Sequence, residues 1–269
     1  MNVCFYTKSA PSITNLLNIS YLIHQRPNHN YSFIQIDAPT VKPSFMQRLR
    51  EKYAHARFDD GRYDYPRDLV AFEKEISRQV QPIKIDSFEC AKVGAVNDAA
   101  SEQFLDKVRP DIIIQAGAGI LKANIFSRAA ATINLHHGIA PEIRGIDSTF
   151  WCMFYGVREK IGVTCHFIDE HLDTGAIIAQ STLANASGSF IDVQTANYLM
   201  GRDVLLRSVD ILQQGHKTII NKGQVKSYYF GVPDNFLYYS LKKRNFSPIM
   251  KISQKAFKMK DANFLLIPE

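Results

Sequence analysis

Short apolar runs alternate with longer segments of helical periodicity over the first 214 residues of the chain. Each run is compact and rich in β-branched residues, as in the buried strands of a parallel sheet. The predicted strands are 2–6, 31–37, 83–85, 111–115, 132–135, 162–168 and 177–182. The predicted helices are 12–25, 45–53, 69–80, 98–108, 148–155 and 190–213. This alternation predicts an α/β fold with a Rossmann-like, doubly wound, mainly parallel sheet.

The pattern changes after Gly215. Residues 218–230 favour a hairpin that turns at Lys222-Gly223, and 235–244 favour a short helix before a basic tail. We therefore predict a main domain at 1–214 and a small C-terminal extension at 215–269.

Composition narrows the class of protein. The chain has 269 residues, 46% hydrophobic and 22% charged, which is ordinary for a globular protein. Its first residues lack the long apolar core of a signal peptide, and no run has membrane-spanning length. Four scattered cysteines without a paired motif fit reduced thiols, so we expect a cytoplasmic location. The net charge of +6 favours anionic partners without selecting one, and the late lysines are expected on a solvated face.

Candidate chemistry lies in Asn134, His136 and Asp173. The strand 132–135 brings the first two to its carboxyl end, where side chains two residues apart share a face. An asparagine amide can donate to a developing oxyanion, an imidazole can carry a proton near neutral pH, and a carboxylate can pair with it. In doubly wound sheets, ligands bind beyond these strand ends, where the winding reverses.

Each of these residues also has a structural explanation. Asn134 could cap a strand, His136 could be a satisfied core histidine, and Asp173 could form a turn with Gly175. Asp169 is the competing carboxylate. A zinc site would use the clustered histidines of this region as ligands. Neither a cysteine pair nor a helical His spacing supports such a site, so we expect no metal. Its candidate ligands are His136, His137, His166, His171 and Asp169. We expect His137, on the opposite strand face, to be structural.

The order Asn134-x-His136, then Pro141, Arg144-Gly145 and Leu172-Asp173-Thr174-Gly175, resembles the 10-formyltetrahydrofolate-dependent formyltransferases. That family includes glycinamide ribonucleotide transformylase, methionyl-tRNA formyltransferase and the sugar N-formyltransferases. The resemblance covers about 109–180. The chain departs from it at His137-Gly138, where the family often has Ser or Pro. It also has 7–12 where the ribonucleotide enzyme has a glycine-rich loop, which argues against a ribosyl-phosphate acceptor.

The resemblance implies a catalytic domain at 1–214, 10-formyltetrahydrofolate as donor and a primary amine as acceptor. It implies catalytic roles for Asn134, His136 and Asp173. The residues implied for cofactor binding are Ala118, Gly119, Ile120, Leu121, Ile168 and Asp169. Those implied for the acceptor are Pro141, Arg144 and Gly145. Two alternatives stay open: the 117–119 segment could be a tight turn without a ligand, and Arg144 could bond to loop carbonyls rather than a phosphate.

A nucleotide-linked amino sugar is the acceptor that we expect, because the extension looks too short to be a tRNA-binding barrel. An amino acid derivative such as a hydroxyornithine, a ribonucleotide amine and aminoacyl-tRNA are alternatives. The aromatic residues at 228–230 and 236–239 could stack on a base or pack beneath the extension. A formyltetrahydrofolate hydrolase would use the same three residues. A non-catalytic folate- or nucleotide-binding protein would instead be expected to lack at least one of them. We expect neither a nucleic acid nor a membrane partner, and a homodimer stays open.

Overall fold

The computed structural model describes residues 1–37, 65–215 and 226–231. The strands of this part of the chain are β1 (Asn2–Lys8), β2 (Asn30–Ile36), β3 (Glu89–Val93), β4 (Ile112–Ala116), β5 (Ala131–His136), β6 (Ile143–Gly145), β7 (Gly162–Phe167), β8 (Ile177–Thr182) and β9 (Tyr228–Phe230). Its α-helices are α1 (Ile13–Gln25), α2 (Tyr65–Ser77), α3 (Ala99–Val108), α4 (Ala123–Phe126), α5 (Ser148–Phe154) and α6 (Phe190–Gln213).

A seven-stranded sheet forms the centre, in the order β3-β2-β1-β4-β5-β7-β8. The first five of these strands are parallel, and β7 and β8 add an antiparallel edge. The chain winds outward from β1 through β2 to β3, then crosses back to β4, so the winding reverses between β1 and β4. The predicted doubly wound, mainly parallel α/β fold is confirmed. Ligands of such sheets bind at that reversal.

Both faces of the sheet are covered, as the uniformly apolar strands require. On one face, Phe5 packs with Ile19 of α1 and Leu205 of α6. On the other, Tyr6 packs with Leu105 of α3. Neighbouring residues of β1 thus serve opposite cores, because side chains alternate along a strand.

Polar caps determine where the helices begin. The Ser12 hydroxyl accepts the Asn15 N–H at 3.3 Å, and Asp98 accepts the Ser101 N–H at 2.8 Å. Both helix starts agree with the prediction. Free side-chain acceptors satisfy N–H groups that the first turn leaves unpaired.

One predicted strand, 83–85, is wrong. A 3₁₀ turn at Ile85–Ser87 replaces it, with the Phe88 N–H bonded to the Ile85 carbonyl at 3.0 Å. The strand lies later, at β3, which is an edge strand with little buried surface and therefore a weak apolar pattern. Isoleucines 83 and 85 still pack against the core, which explains the misleading apolar signal.

The C-terminal part is described only around β9, which pairs in parallel with β6. The predicted helices 45–53 and 235–244 and the hairpin residues 218–225 lie outside the described residues. The division into two domains stays a prediction. In the described ranges, no helix is long and apolar enough to cross a bilayer.

Candidate active site

A cavity of about 520 Å³ lies over the carboxyl ends of β1, β4 and β5, between α1 and α6. Asn134, His136 and Asp173 all line it. The reversal of winding between β1 and β4 leaves this crevice uncovered by a crossover helix. The three residues singled out from the sequence therefore meet in one place.

Asn134 and His136 reach the cavity from β5, and Asp173 reaches it from the loop between β7 and β8. The backbone of Asp173 is left-handed, with φ of 54°, a conformation uncommon outside glycine. The last position of the motif, Gly175, has to be a glycine. A Cβ there would lie 1.7 Å from the Phe167 carbonyl oxygen, so only glycine lets the loop cross β7 this closely.

Asp173 is the centre of the group. Its carboxylate lies 3.6 Å from His136 Nδ1 and 3.6 Å from His166 Nε2. It also accepts the Gly145 N–H at 3.2 Å. All three ionisable side chains are buried, so these contacts act with little screening by water.

The hydrogen bonds define the tautomer of His136. Its Nε2 lies 2.8 Å from the Ile143 carbonyl, which can only accept, so Nε2 carries the proton. In the neutral ring, Nδ1 then presents its lone pair toward Asp173. Uptake of a proton at Nδ1 converts that contact into an ion pair.

The pKa shifts agree with this arrangement. Burial lowers the pKa of His136, and the charge of Asp173 opposes that effect in part. Burial pushes the pKa of Asp173 upward, but its contacts with His166, His136 and the Gly145 N–H together hold it below its ordinary value. At neutral pH the pair is therefore a neutral imidazole beside a carboxylate, ready to receive one proton.

His166 belongs to this group, although the sequence suggested it only as a zinc ligand. Its Nδ1–H donates to the Phe167 carbonyl at 2.8 Å, so Nε2 accepts the Asn134 amide N–H at 3.3 Å. This contact orients the Asn134 amide, and the second N–H of that amide is left for a ligand. The antiparallel register that pairs Asn134 with His166 brings them together. No local motif in the sequence encodes that register.

A buried polar network supports the loop after β5. The Thr164 hydroxyl donates to the Gly138 carbonyl at 2.7 Å, and the Ala140 N–H donates to Thr164 at 3.0 Å. Gln180 donates to the Ala140 carbonyl at 2.9 Å. Gly138 itself has no room for a side chain, since a Cβ would lie 2.4 Å from His136 Nε2. The His137-Gly138 departure noted in the sequence thus protects the His136 hydrogen bond.

The six residues expected to bind the cofactor do not all line the cavity. Ile120 lines the cavity, whereas Ala118 and Leu121 are buried in the core on the other side of the sheet. Ile168 packs against the same core. The Asp169 carboxylate accepts the His171 N–H at 3.0 Å and the Thr174 hydroxyl at 2.8 Å, so it shapes the loop that holds Asp173. The Gly119 carbonyl accepts from Gln115. These six assignments stay predictions.

Among the residues expected to bind the acceptor, Gly145 lines the cavity. Arg144 donates to the Ser227 hydroxyl at 2.7 Å and to the Leu172 carbonyl at 3.3 Å. The Pro141 carbonyl accepts from the same Ser227 hydroxyl at 2.5 Å. Arg144 thus bonds to a loop carbonyl and ties the loops together. Acceptor binding by these three residues stays a prediction.

The mouth of the cavity is apolar. Five large hydrophobic side chains of the described residues are exposed, and four of them line this cavity: Ile120, Ile146, Leu172 and Tyr229. Exposed apolar side chains gathered in one place indicate a binding surface. Phe230, next to Tyr229, stacks on Trp151 at 5.1 Å and packs in the interior. Packing thus accounts for Phe230, stacking of Tyr229 on a base stays a prediction, and residues 236–239 lie outside the described residues.

Metal ligation was the competing explanation for the histidines. Within residues 1–37, 65–215 and 226–231, no group of three His, Cys, Asp or Glu side chains is placed to hold a metal ion. The contacts of His136 and His166 are instead with carbonyls, an amide and one carboxylate.

Comparison with known proteins gives an independent line of information. The family model described as formyl transferase matches residues 67–187. The methionyl-tRNA formyltransferase of Chlorobium chlorochromatii (strain CaD3) is 32% identical over 122 residues, which are 44% of this chain and 38% of that relative. The chain thus matches well under half the length of this curated relative.

Solved structures match more of the chain. A sugar N-formyltransferase from Shewanella sp FDAARGOS_354 superimposes with a TM-score of 0.53 and 13% identity, over 86% of this chain and 77% of that one. HypX from Aquifex aeolicus, in complex with tetrahydrofolic acid, superimposes with a TM-score of 0.52 and 14% identity, over 92% of this chain and 34% of that one. At these identities, the matches establish a shared fold.

Proposed function

We propose that this protein transfers a formyl group from 10-formyltetrahydrofolate to the primary amine of a small molecule. The observation that carries the proposal is the convergence of Asn134, His136 and Asp173 in one cavity, with Asp173 3.6 Å from the His136 imidazole. The match of residues 67–187 to the formyl transferase family and the folate complex of HypX, a protein of the same fold, support the choice of donor.

Each residue has a defined task. The free N–H of the Asn134 amide donates to the formyl oxygen as negative charge develops on it. The neutral His136 ring and the ionised Asp173 carboxylate form the base that takes a proton from the attacking amine. Because His136 Nε2 is bonded to Ile143, the proton is held between Nδ1 and the Asp173 carboxylate, from which it would pass to the folate nitrogen as the bond between that nitrogen and the formyl carbon breaks.

The cofactor fits the cavity by its apolar mouth. Exposed Ile120, Leu172 and Tyr229 offer apolar contacts suited to the ring system of a folate. Bound 10-formyltetrahydrofolate would supply the activated formyl carbon. Asn134, His136 and Asp173 line the same cavity, so the formyl group would lie beside them.

For the acceptor, we propose a nucleotide-linked amino sugar. The sugar N-formyltransferase from Shewanella has this fold, which supports the choice. The methionyl-tRNA formyltransferase of Chlorobium supports aminoacyl-tRNA as the second candidate. A cytoplasmic location and a possible homodimer stay predictions.

The test combines 10-formyltetrahydrofolate with a panel of amines and detects formylated product by mass spectrometry. We expect product from at least one amino sugar. Asn134→Ala and His136→Ala should each reduce the rate by about 100- to 1,000-fold, since removal of one oxyanion donor typically has that effect. Equal consumption of the donor without any amine would instead indicate a hydrolase. Activity within about threefold of wild type in both variants would refute the site.

A further inference from the structure

A segment from the C-terminal part of the chain lies against the loop that follows β5. We call residues 226–231 the β9 segment and residues 141–146 the β6 loop, after the two strands that pair there. The Tyr228 N–H and the Phe230 carbonyl each bond to the backbone of the β6 loop, at 2.8 and 3.0 Å. The two backbones are so close that a Cβ on Gly145 would clash with the Phe230 carbonyl oxygen. Because a two-stranded sheet alone is marginally stable in water, this pairing depends on further contacts.

Side chains fasten the β9 segment at both ends. At its beginning, the Ser227 hydroxyl donates to the Pro141 carbonyl at 2.5 Å and accepts the Arg144 Nε–H at 2.7 Å. A single hydroxyl can donate and accept at once, so Ser227 bridges two points of the β6 loop. At its end, the Trp151 indole N–H donates to the Gly231 carbonyl at 2.8 Å. The segment is therefore held by side chains as well as by its strand pairing.

Arg144 extends this contact to the loop that carries Asp173. While its Nε is bonded to Ser227, its Nη1 donates to the carbonyl of Leu172, the residue before Asp173, at 3.3 Å. The guanidinium is planar and rigid, so the bond at one edge orients the other. Loss of the Ser227 hydroxyl would therefore loosen both the β6 loop and its link to the Asp173 loop.

The β6 loop supplies one backbone group to each member of the His136–Asp173 pair. The Ile143 carbonyl accepts from His136 Nε2 at 2.8 Å, and the Gly145 N–H donates to the Asp173 carboxylate at 3.2 Å. Both groups belong to β6, the strand that pairs with β9. The position of the β9 segment therefore bears directly on the geometry of the pair.

The single proton of the neutral His136 ring has two acceptors within reach. The Ile143 carbonyl lies 2.8 Å from Nε2, whereas the Asp173 carboxylate lies 3.6 Å from Nδ1, too far for a hydrogen bond. A carboxylate is nevertheless the stronger acceptor, since hydrogen bonds to charged groups are roughly twice as strong as neutral ones. The Nε2–H tautomer thus persists only while the carbonyl stays in place. In the Nδ1–H tautomer, Nδ1 has no lone pair left to take up a proton.

We propose that the β9 segment holds His136 in the Nε2–H tautomer that formyl transfer requires, with Ser227 and Trp151 as positioning residues. This inference rests on the proposed function, because that reaction uses the free lone pair of Nδ1. Neither Ser227 nor Trp151 lines the cavity. Both act from outside it, through the backbones of the β9 segment and the β6 loop.

Nitrogen NMR of the neutral His136 ring tests this inference on the full chain, because the two tautomers give different spectra whether or not the protein is active. Comparison with His136→Gln assigns the signals. We expect the Nε2–H form alone in the wild type, and a measurable share of the Nδ1–H form in Ser227→Ala and in Trp151→Phe. Each of these variants should also lose about 10-fold in kcat, the effect expected when one or two hydrogen bonds that hold the geometry are removed.

Two further variants serve as controls. Ser227→Thr keeps the hydroxyl and should restore both the wild-type tautomer and the wild-type rate. Ser87→Ala is the matched control, because it removes a serine hydroxyl that donates to the Lys84 carbonyl at 2.6 Å outside the cavity. Ser227 and Trp151 lie on different elements, so misfolding of one variant leaves the other informative.

The outcomes separate the two proposals. A tautomer shift in Ser227→Ala and Trp151→Phe, in a protein that formylates no amine, would sink the proposed function and support the role of the β9 segment. An unchanged tautomer in both variants would overturn that role, whatever happens to the rate. So would the Nδ1–H form in the wild type, an equal shift in Ser87→Ala, or a shift without loss of kcat in a protein that transfers formyl groups.

Discussion

Replacement of Asp173 by asparagine isolates the charge at the centre of the site. The amide keeps the shape of the carboxylate, and its oxygen can still accept the Gly145 N–H that Asp173 accepts at 3.2 Å. The substitution removes the negative charge that lies 3.6 Å from His136 Nδ1. Geometry is thus preserved, whereas the stabilisation of a protonated imidazole is lost.

The size of the effect follows from that distance. Two unit charges 3.6 Å apart attract by about 4–5 kcal/mol at an effective dielectric constant of about 20. Each 1.36 kcal/mol of lost transition-state stabilisation is about a factor of ten in rate. Asp173→Asn should therefore reduce kcat by on the order of 1,000-fold, with the acceptor KM changed much less.

Two measurements check this expectation. Steady-state formyl transfer gives kcat and KM, and an NMR titration of the His136 ring reports its pKa without any need for activity. Because the Asp173 charge raises the pKa of His136, that pKa should fall further in Asp173→Asn. Asp111→Asn is a matched control, since Asp111 accepts the Asn2 N–H at the amino-terminal edge of the sheet. A kcat within about threefold of wild type, or an unchanged His136 pKa, would contradict the reasoning.

Two further predictions concern stability. Lys160 pairs with the fully buried carboxylate of Glu142 at 3.0 Å, so Lys160→Met should lower the free energy of unfolding by about 3–5 kcal/mol in urea titrations. Adding Glu142→Gln should recover most of the loss, and failure to do so would exclude the buried charge as its cause. Burial lowers the pKa of His137 from 6.5 to about 3, so the folded state binds fewer protons. The contribution of His137 to the free energy of unfolding should be fully present above pH 6.5 and should be lost as the pH falls toward 3. The slope from this residue should be at most about 1.4 kcal/mol per pH unit. In His137→Phe that part of the slope should disappear; an unchanged slope would show that His137 does not cause it.

The central elements were predictable because their signals are local. The isoleucine run of β4 has to be buried on both faces, and Ser12 and Asp98 cap helices through neighbouring N–H groups. The strand β3 was misplaced for the opposite reason. It is an edge strand, so its residues carry little apolar pattern, and only its pairing with β2 identifies it.

The candidate site shows the same difference between local and long-range signals. Asn134, His136 and Asp173 were recognisable because their spacing follows from one strand and one loop. The role of His166 was not, since it depends on a neighbour that is distant in the chain. His166 meets Asn134 through the antiparallel register of β5 and β7.

The amino-acid sequence alone predicted the class of fold, the three candidate catalytic residues and the resemblance to the formyltransferases, because periodicity, capping and motif spacing are properties of short stretches of chain. Tertiary structure decided which carboxylate pairs with His136, how the Asn134 amide is oriented, and where Arg144 is bonded. It also decided that, among the described residues, no lysine or arginine lines the cavity. Those outcomes arise from distances between residues far apart in the chain, which only the packed sheet and helices determine.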